Sequence, residues 1–103
     1  MLFIVKATIP NDAGNDMVRS GPGMKELIDK VMGDVRPESA YFAIADGQRT
    51  VFMIVNIDKP EEMVRIAEPL WLGVEADVDV YPAMSAEDFE KAGPILGGIV
   101  PNY

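Results

Sequence analysis

The chain has 103 residues, 49% apolar and 25% charged, a balance that fits one globular domain burying roughly 60–70% of the surface its unfolded chain exposes. Its 17 acidic residues against 9 basic ones give a formal charge of −8, so it has no basic footprint for nucleic-acid phosphates and is repelled by anionic membranes. With neither cysteine nor histidine, it can build no disulfide, no thiolate or imidazole metal site, no His-ligated haem and no dyad or triad that uses histidine as base.

Met1–Val5 is apolar, but Lys6 follows at once, which leaves it too short for a signal-peptide core or a membrane span; a cytoplasmic location is expected. Leu2 to Ile9, β-branched and aromatic, reads as a strand ending at the turn signal Pro10-Asn11-Asp12. From about Gly14 to Met32 the apolar residues fall at helical spacing, interrupted by Ser20-Gly21-Pro22-Gly23. This predicts a short helical turn, a break, and a main helix from about Pro22 to Met32 stopped by Gly33. Ala40–Ala45 and Arg49–Ile57 read as strands joined by Asp46-Gly47, the pair that favours a type I′ hairpin because both positions need positive φ. Asp58 is placed to cap a second helix that opens with Pro60-Glu61-Glu62 and carries Met63, Ile66, Ala67 and Leu70 on one face. Pro69 is expected to kink that helix or end its first part. Val74 to Pro82 alternates as a fourth strand. Ser85-Ala86-Glu87-Asp88 starts a short extra helix with a capping box, Asp standing where Glu is usual, and Gly93-Pro94 closes it. The tail Ile95–Pro101 is apolar enough that it should pack on a neighbouring element, a partner chain's included.

The order β-α-β-β-α-β is that of a ferredoxin-like α+β domain: a four-stranded antiparallel sheet with helices on one face. The whole chain, 1–103, reads as one such domain, with a core over 1–83 and a C-terminal helix and tail over 84–103. Alternation assigns the faces. Phe3, Val5, Ala7, Ile9, Phe42, Ile44, Val51, Met53, Val55, Ile57, Val74, Ala76, Val78 and Val80 belong to the helix side. The open face then collects Leu2, Ile4, Lys6, Thr8, Tyr41, Ala43, Thr50, Phe52, Ile54, Asn56, Glu75, Asp77, Asp79 and Tyr81. It is too apolar for water and too polar for a plain core, which points to self-association through this face around a partly polar cavity.

Candidate ligand-binding residues are Lys6, Tyr41, Asn56, Trp71, Asp77, Asp79 and Tyr81. Lys6 should face Asp77 or Asp79 across neighbouring strands, as a simple ion pair, as a pocket-lining pair with one desolvated carboxylate able to act as a base, or as solvent-exposed charge. Trp71 is the only tryptophan, a core or interface anchor or a pocket wall. Arg49 reads as a surface residue. Gly21-Pro22-Gly23 lacks the glycine spacing and lysine of a phosphate loop. No motif fixes a catalytic residue, and no cofactor is expected.

The strand Leu2–Ile9, the Ala45-Asp46-Gly47-Gln48-Arg49 hairpin and the alternating Val74–Tyr81 strand resemble the dimeric α/β-barrel superfamily over about residues 1–83. The stretches Pro37–Phe42, Asp46–Thr50 and Ile66–Pro69 are similar to a small bacterial branch of that group, one with no activity to carry over. The resemblance implies two ferredoxin-like protomers packed sheet to sheet around a cavity. Relatives such as quinol monooxygenases would use Trp, Asn, Tyr and Arg to bind an aromatic substrate, for which Trp71, Asn56 and Tyr41 are available. The expected function is a small-molecule binding protein or cofactor-independent enzyme using that cavity; the alternative is a non-catalytic structural or regulatory homodimer module. A nucleic-acid-binding sheet is disfavoured by the acidic fourth strand.

Overall fold

The computed structural model describes residues Met1–Tyr103. Its strands are β1 (Leu2–Ile9), β2 (Ser39–Ala45), β3 (Gln48–Asn56) and β4 (Asp77–Pro82), and its helices α1 (Asn11–Arg19), α2 (Pro22–Val35), α3 (Met63–Val74), α4 (Ala86–Lys91) and α5 (Gly93–Ile99). The strands form one sheet in the order β2-β3-β1-β4, every pair antiparallel. The first and last strands are therefore antiparallel neighbours.

The β2–β3 hairpin turns on Asp46 (φ 53°) and Gly47 (φ 76°), so both central residues take the positive φ expected of them. Its register pairs Ala45 with Gln48, Ile44 with Arg49, Ala43 with Thr50 and Tyr41 with Phe52. The core lies between the sheet and α2 and α3: Val5, Ala7, Ile9, Val51, Met53, Val55 and Ile57 meet Val31, Val35, Ile66, Leu70 and Val74. The two helices approach closely at Gly73, where a Cβ would lie 2.7 Å from Val31 Cγ2.

Several boundaries differ from the sequence reading, each for a local reason. Asn11 and Asp12 form the first turn of α1, not a loop, because Pro10 precedes the helix and its carbonyl accepts from Gly14 N at 2.8 Å. Gly21 (φ 62°) makes the break before α2, and Pro22 occupies the first helical turn. Gly33 does not stop α2, which runs on to Val35 and ends at Arg36 in the left-handed region (φ 51°); Pro37 bars further helix at the residue before it. Asp58 does not cap with its side chain. Instead Glu62 reaches back to accept from the backbone N–H groups of Asp58 (2.7 Å) and Lys59 (3.3 Å), stabilising a 3₁₀ turn at Pro60–Glu62. Those bonds hold the Glu62 carboxyl below its ordinary value of 4.5. Pro69 lies within α3 without dividing it. Val74 ends α3 and Glu75 (φ 56°) is its left-handed cap, so β4 begins only at Asp77 and Glu75 is not on the open face.

Arg65 ties the helix layer to the sheet. One guanidinium nitrogen donates to the carbonyl of Val35 at the end of α2, and the other to that of Asn56 at 3.3 Å. On the first helix, Arg49 lies over Gly14, where a Cβ would meet its Nη1 at 2.7 Å, and donates to Asn15 Oδ1 at 3.1 Å.

Beyond β4 the chain departs from the domain. Ala83 N donates to Leu2 O, after which Ser85 and Asp88 form the expected reciprocal cap of α4. Gly93-Pro94 ends that helix but also begins α5, so the apolar tail is helical, with a 3₁₀ turn at Val100–Asn102. None of these elements buries a residue. A compact chain of this length has a radius of gyration of roughly 13 Å, whereas this one measures 17.1 Å with extents of 58 × 28 × 19 Å. The excess is a projecting arm. No helix is long and apolar enough to cross a membrane.

Candidate functional site

Helices cover one face of the sheet, and the ladder register gives the other row by row. Across β2, β3, β1 and β4 the rows read Ser39, Ile54, Ile4, Tyr81; then Tyr41, Phe52, Lys6, Asp79; then Ala43, Thr50, Thr8, Asp77. Leu2 and Asn56 pair beyond the first row. The face is therefore graded. Apolar and aromatic side chains gather at the end where β1 begins, and hydroxyls and carboxylates at the end near the hairpin turn. Tyr41 is 66% exposed and Tyr81 50%, while Phe52 and Ile54 are part-buried.

Register sets Lys6 directly opposite Asp79, as the pattern suggested, but the charges are arranged otherwise. Lys6 Nζ lies 3.8 Å from Asp46 Oδ2 at the hairpin turn on the far side of β3. A lysine stem spans more than one rung, so strand adjacency does not choose its partner. Asp77 and Asp79 are left exposed, and neither takes part in an ion pair. Between these groups Thr50 is buried and donates to Gln48 O at 3.1 Å, a polar side chain satisfied within its own strand.

The remaining candidates lie apart from that corner. Asn56 Oδ1 accepts from the Met1 nitrogen at 2.8 Å, so its side chain holds β1 in place. Trp71, 48% exposed, belongs to α3 and so to the helix layer on the opposite side of the sheet. The structure thus brings Lys6, Tyr41, Asp77, Asp79 and Tyr81 onto one surface, with Asn56 at its margin and Trp71 away from it. No three acidic side chains converge where a metal ion could sit.

Two grooves open on the helix-bearing side. One, of about 730 Å³ between α2 and α3, has a mixed lining in which Lys30, Asp34, Arg36, Arg65 and Glu68 stand beside Leu27, Val31, Val64 and Leu72. The other, of about 760 Å³, lies between α1, α2 and β2 and is mostly apolar, lined by Ile9, Met17, Met24, Ile28, Phe42 and Ile44 among others. Sequence reasoning missed it. Alternation placed Phe42 and Ile44 correctly on the helix side but took them as covered, whereas they are 66% and 85% exposed. The clue was the edge position of β2, where a groove opens between the strand and α1 and α2.

No protein-family model matches the chain, and no curated protein matches it in sequence.

Proposed function

We propose that the chain is a ferredoxin-like protomer that pairs with a second copy through its open sheet face and binds a small molecule in the space between the two sheets. Read from the other edge, the sheet order is β4-β1-β3-β2, with α2 and α3 on one side, which supports a split β-α-β arrangement. The observation that carries the proposal is the grading of the open face. Ile4, Ile54, Phe52, Tyr41 and Tyr81 form a contiguous apolar surface of the kind that marks an interaction site. Beside it stand Asp77 and Asp79 without a cationic partner. Pairing two such faces brings four carboxylates into a shared, less aqueous space, where uncompensated charge is costly. The fitting ligand has an apolar body and a cationic or hydrogen-bond-donating end.

Sedimentation at micromolar concentration should give twice the chain mass, and Phe52→Asp should reduce it to that of one chain. A dansyl-alkylamine should bind the dimer with increased fluorescence more strongly than the anionic probe anilinonaphthalene sulfonate, and Asp77→Asn/Asp79→Asn should abolish the preference. A monomer, or a dimer indifferent to Phe52→Asp, refutes the pairing. The five large side chains on the face support a second reading, an interface filled by its own residues that serves assembly alone; a dimer that binds neither probe would establish it.

A further inference from the structure

The projecting arm has a composition that cannot stand alone. From Ala92 to Tyr103 it carries no charged side chain, and it exposes Ile95, Leu96, Ile99 and Val100 to solvent. Isolated helices shorter than about 12–15 residues are marginal in water even when rich in alanine. α5 is far shorter and includes Gly93, Gly97 and Gly98, which weaken it further. A helix of this kind persists only when packed, yet apart from its neighbours in the arm its apolar side chains stay about half or more exposed. A Cβ at Gly97 or Gly98 would meet no atom within 4 Å, so the flank where a backbone approaches closely is bare as well.

The same molecule carries an unfilled counterpart. The groove between α1, α2 and β2 presents Met17, Met24, Ile28, Phe42 and Ile44, with Lys25, paired to Asp29 at 2.6 Å, and Arg49, bound to Asn15 Oδ1 at 3.1 Å, among its polar residues. The arm's polar half, α4, holds Glu87, Asp88 and Glu90 against the single base Lys91. One chain thus carries both an uncovered apolar helix and an unfilled apolar groove.

Their places in the sheet say which body provides the groove. The arm leaves from β4 and the groove borders β2, the opposite edges of the sheet. When two sheets pack face to face about a two-fold axis parallel to the strands, β4 of one copy lies beside β2 of the other. Helical rise over Ala86–Asn102 gives the arm a reach of roughly 26 Å. We propose that the arm is exchanged between two copies, α5 of each seated in the α1–α2–β2 groove of the other. Reciprocal exchange satisfies both arms and closes the assembly at two chains. The identity of the partner edge rests on the sheet-face pairing proposed above; the need for a cover does not.

The chain has no cysteine, so introduced thiols are the only ones present. Chains carrying Leu96→Cys mixed with chains carrying Ile44→Cys should be joined by a short bismaleimide into a covalent heterodimer, and the single variants alone should not. In the full chain, Ile95→Asp/Ile99→Asp should raise the dimer dissociation constant at least ~100-fold. A cross-link confined within one chain of the Ile44→Cys/Leu96→Cys double variant overturns exchange, because the arm then folds back on its own groove. A dimer whose affinity ignores the arm substitutions and yields no cross-link also overturns it, and leaves sheet pairing standing. A dimer broken by the arm substitutions but indifferent to Phe52→Asp supports exchange and overturns sheet pairing instead.

Discussion

Gly73→Ala tests whether α2 and α3 meet in a tight joint. A Cβ at this position would lie 2.7 Å from Val31 Cγ2 and 3.8 Å from Leu27 Cδ1. Carbon atoms attract best at about 3.5–4.0 Å, so the first contact is about 1 Å too close. Val31 is buried and β-branched on a helix, and so holds one strongly preferred χ1. Relief requires the helices to part, at about 1–3 kcal/mol for a methylene forced into a packed core. Replacing glycine by alanine inside a helix returns about 1 kcal/mol. The net expectation is a loss of about 1 kcal/mol, which for a domain of this size lowers the melting temperature by roughly 4–8 °C. Gly33→Ala in α2 is the control: no atom lies within 4 Å of its Cβ, so only the gain in helix propensity applies. Urea unfolding at fixed protein concentration measures both. In a double-mutant cycle, Val31→Ala should relieve much of the Gly73→Ala penalty, since the two sites share one contact. If Gly73→Ala stabilises the chain as much as Gly33→Ala does, the tight joint is refuted.

Arg65→Met should cost about 1–3 kcal/mol, because it leaves the Val35 and Asn56 carbonyls without their donors. Arg65→Lys should recover only part of this in a urea titration, since an ammonium lacks the planar fork that reaches both. Gly47→Ala should destabilise by about 1 kcal/mol at φ 76°, whereas Asp46→Asn should stay within about 0.5 kcal/mol, its pair with Lys6 being weak and its side chain exposed; equal losses in thermal melts would contradict the turn assignment. The Glu62 carboxyl is held below its ordinary value of 4.5 by two backbone donors. Its contribution is therefore complete above that value and is lost as pH falls through the lowered one. The stability difference between the wild type and Glu62→Gln should shrink on acidification from pH 6 to pH 3, and a difference that grows would reverse the assignment.

What the sequence determined was everything governed by local period and local backbone chemistry. Alternation divided β1, β3 and β4 correctly between the two sheet faces, because successive side chains on a strand must point opposite ways. Asp46-Gly47 specified the hairpin register, because few residues accept two consecutive positive φ values. Glycine and proline placed the α1–α2 break, and the absence of cysteine and histidine removed whole classes of chemistry. Tertiary structure decided whatever depends on reach or on width. Lys6 passes over its strand neighbour Asp79 to Asp46, because a flexible four-carbon stem is not bound to one rung. α3 extends through Val74, the residue whose apolar alternation resembled the start of β4, because burial against the helix layer satisfies the same pattern. Phe42 and Ile44 lie on the helix side yet stay bare, because β2 is the edge strand and the helices leave a groove beside it. The mixed open face was legible from alternation alone. That it is graded, with its carboxylates free of Lys6, and that the arm leaves its own domain with its apolar surface uncovered, are facts of long-range geometry that no local pattern encodes.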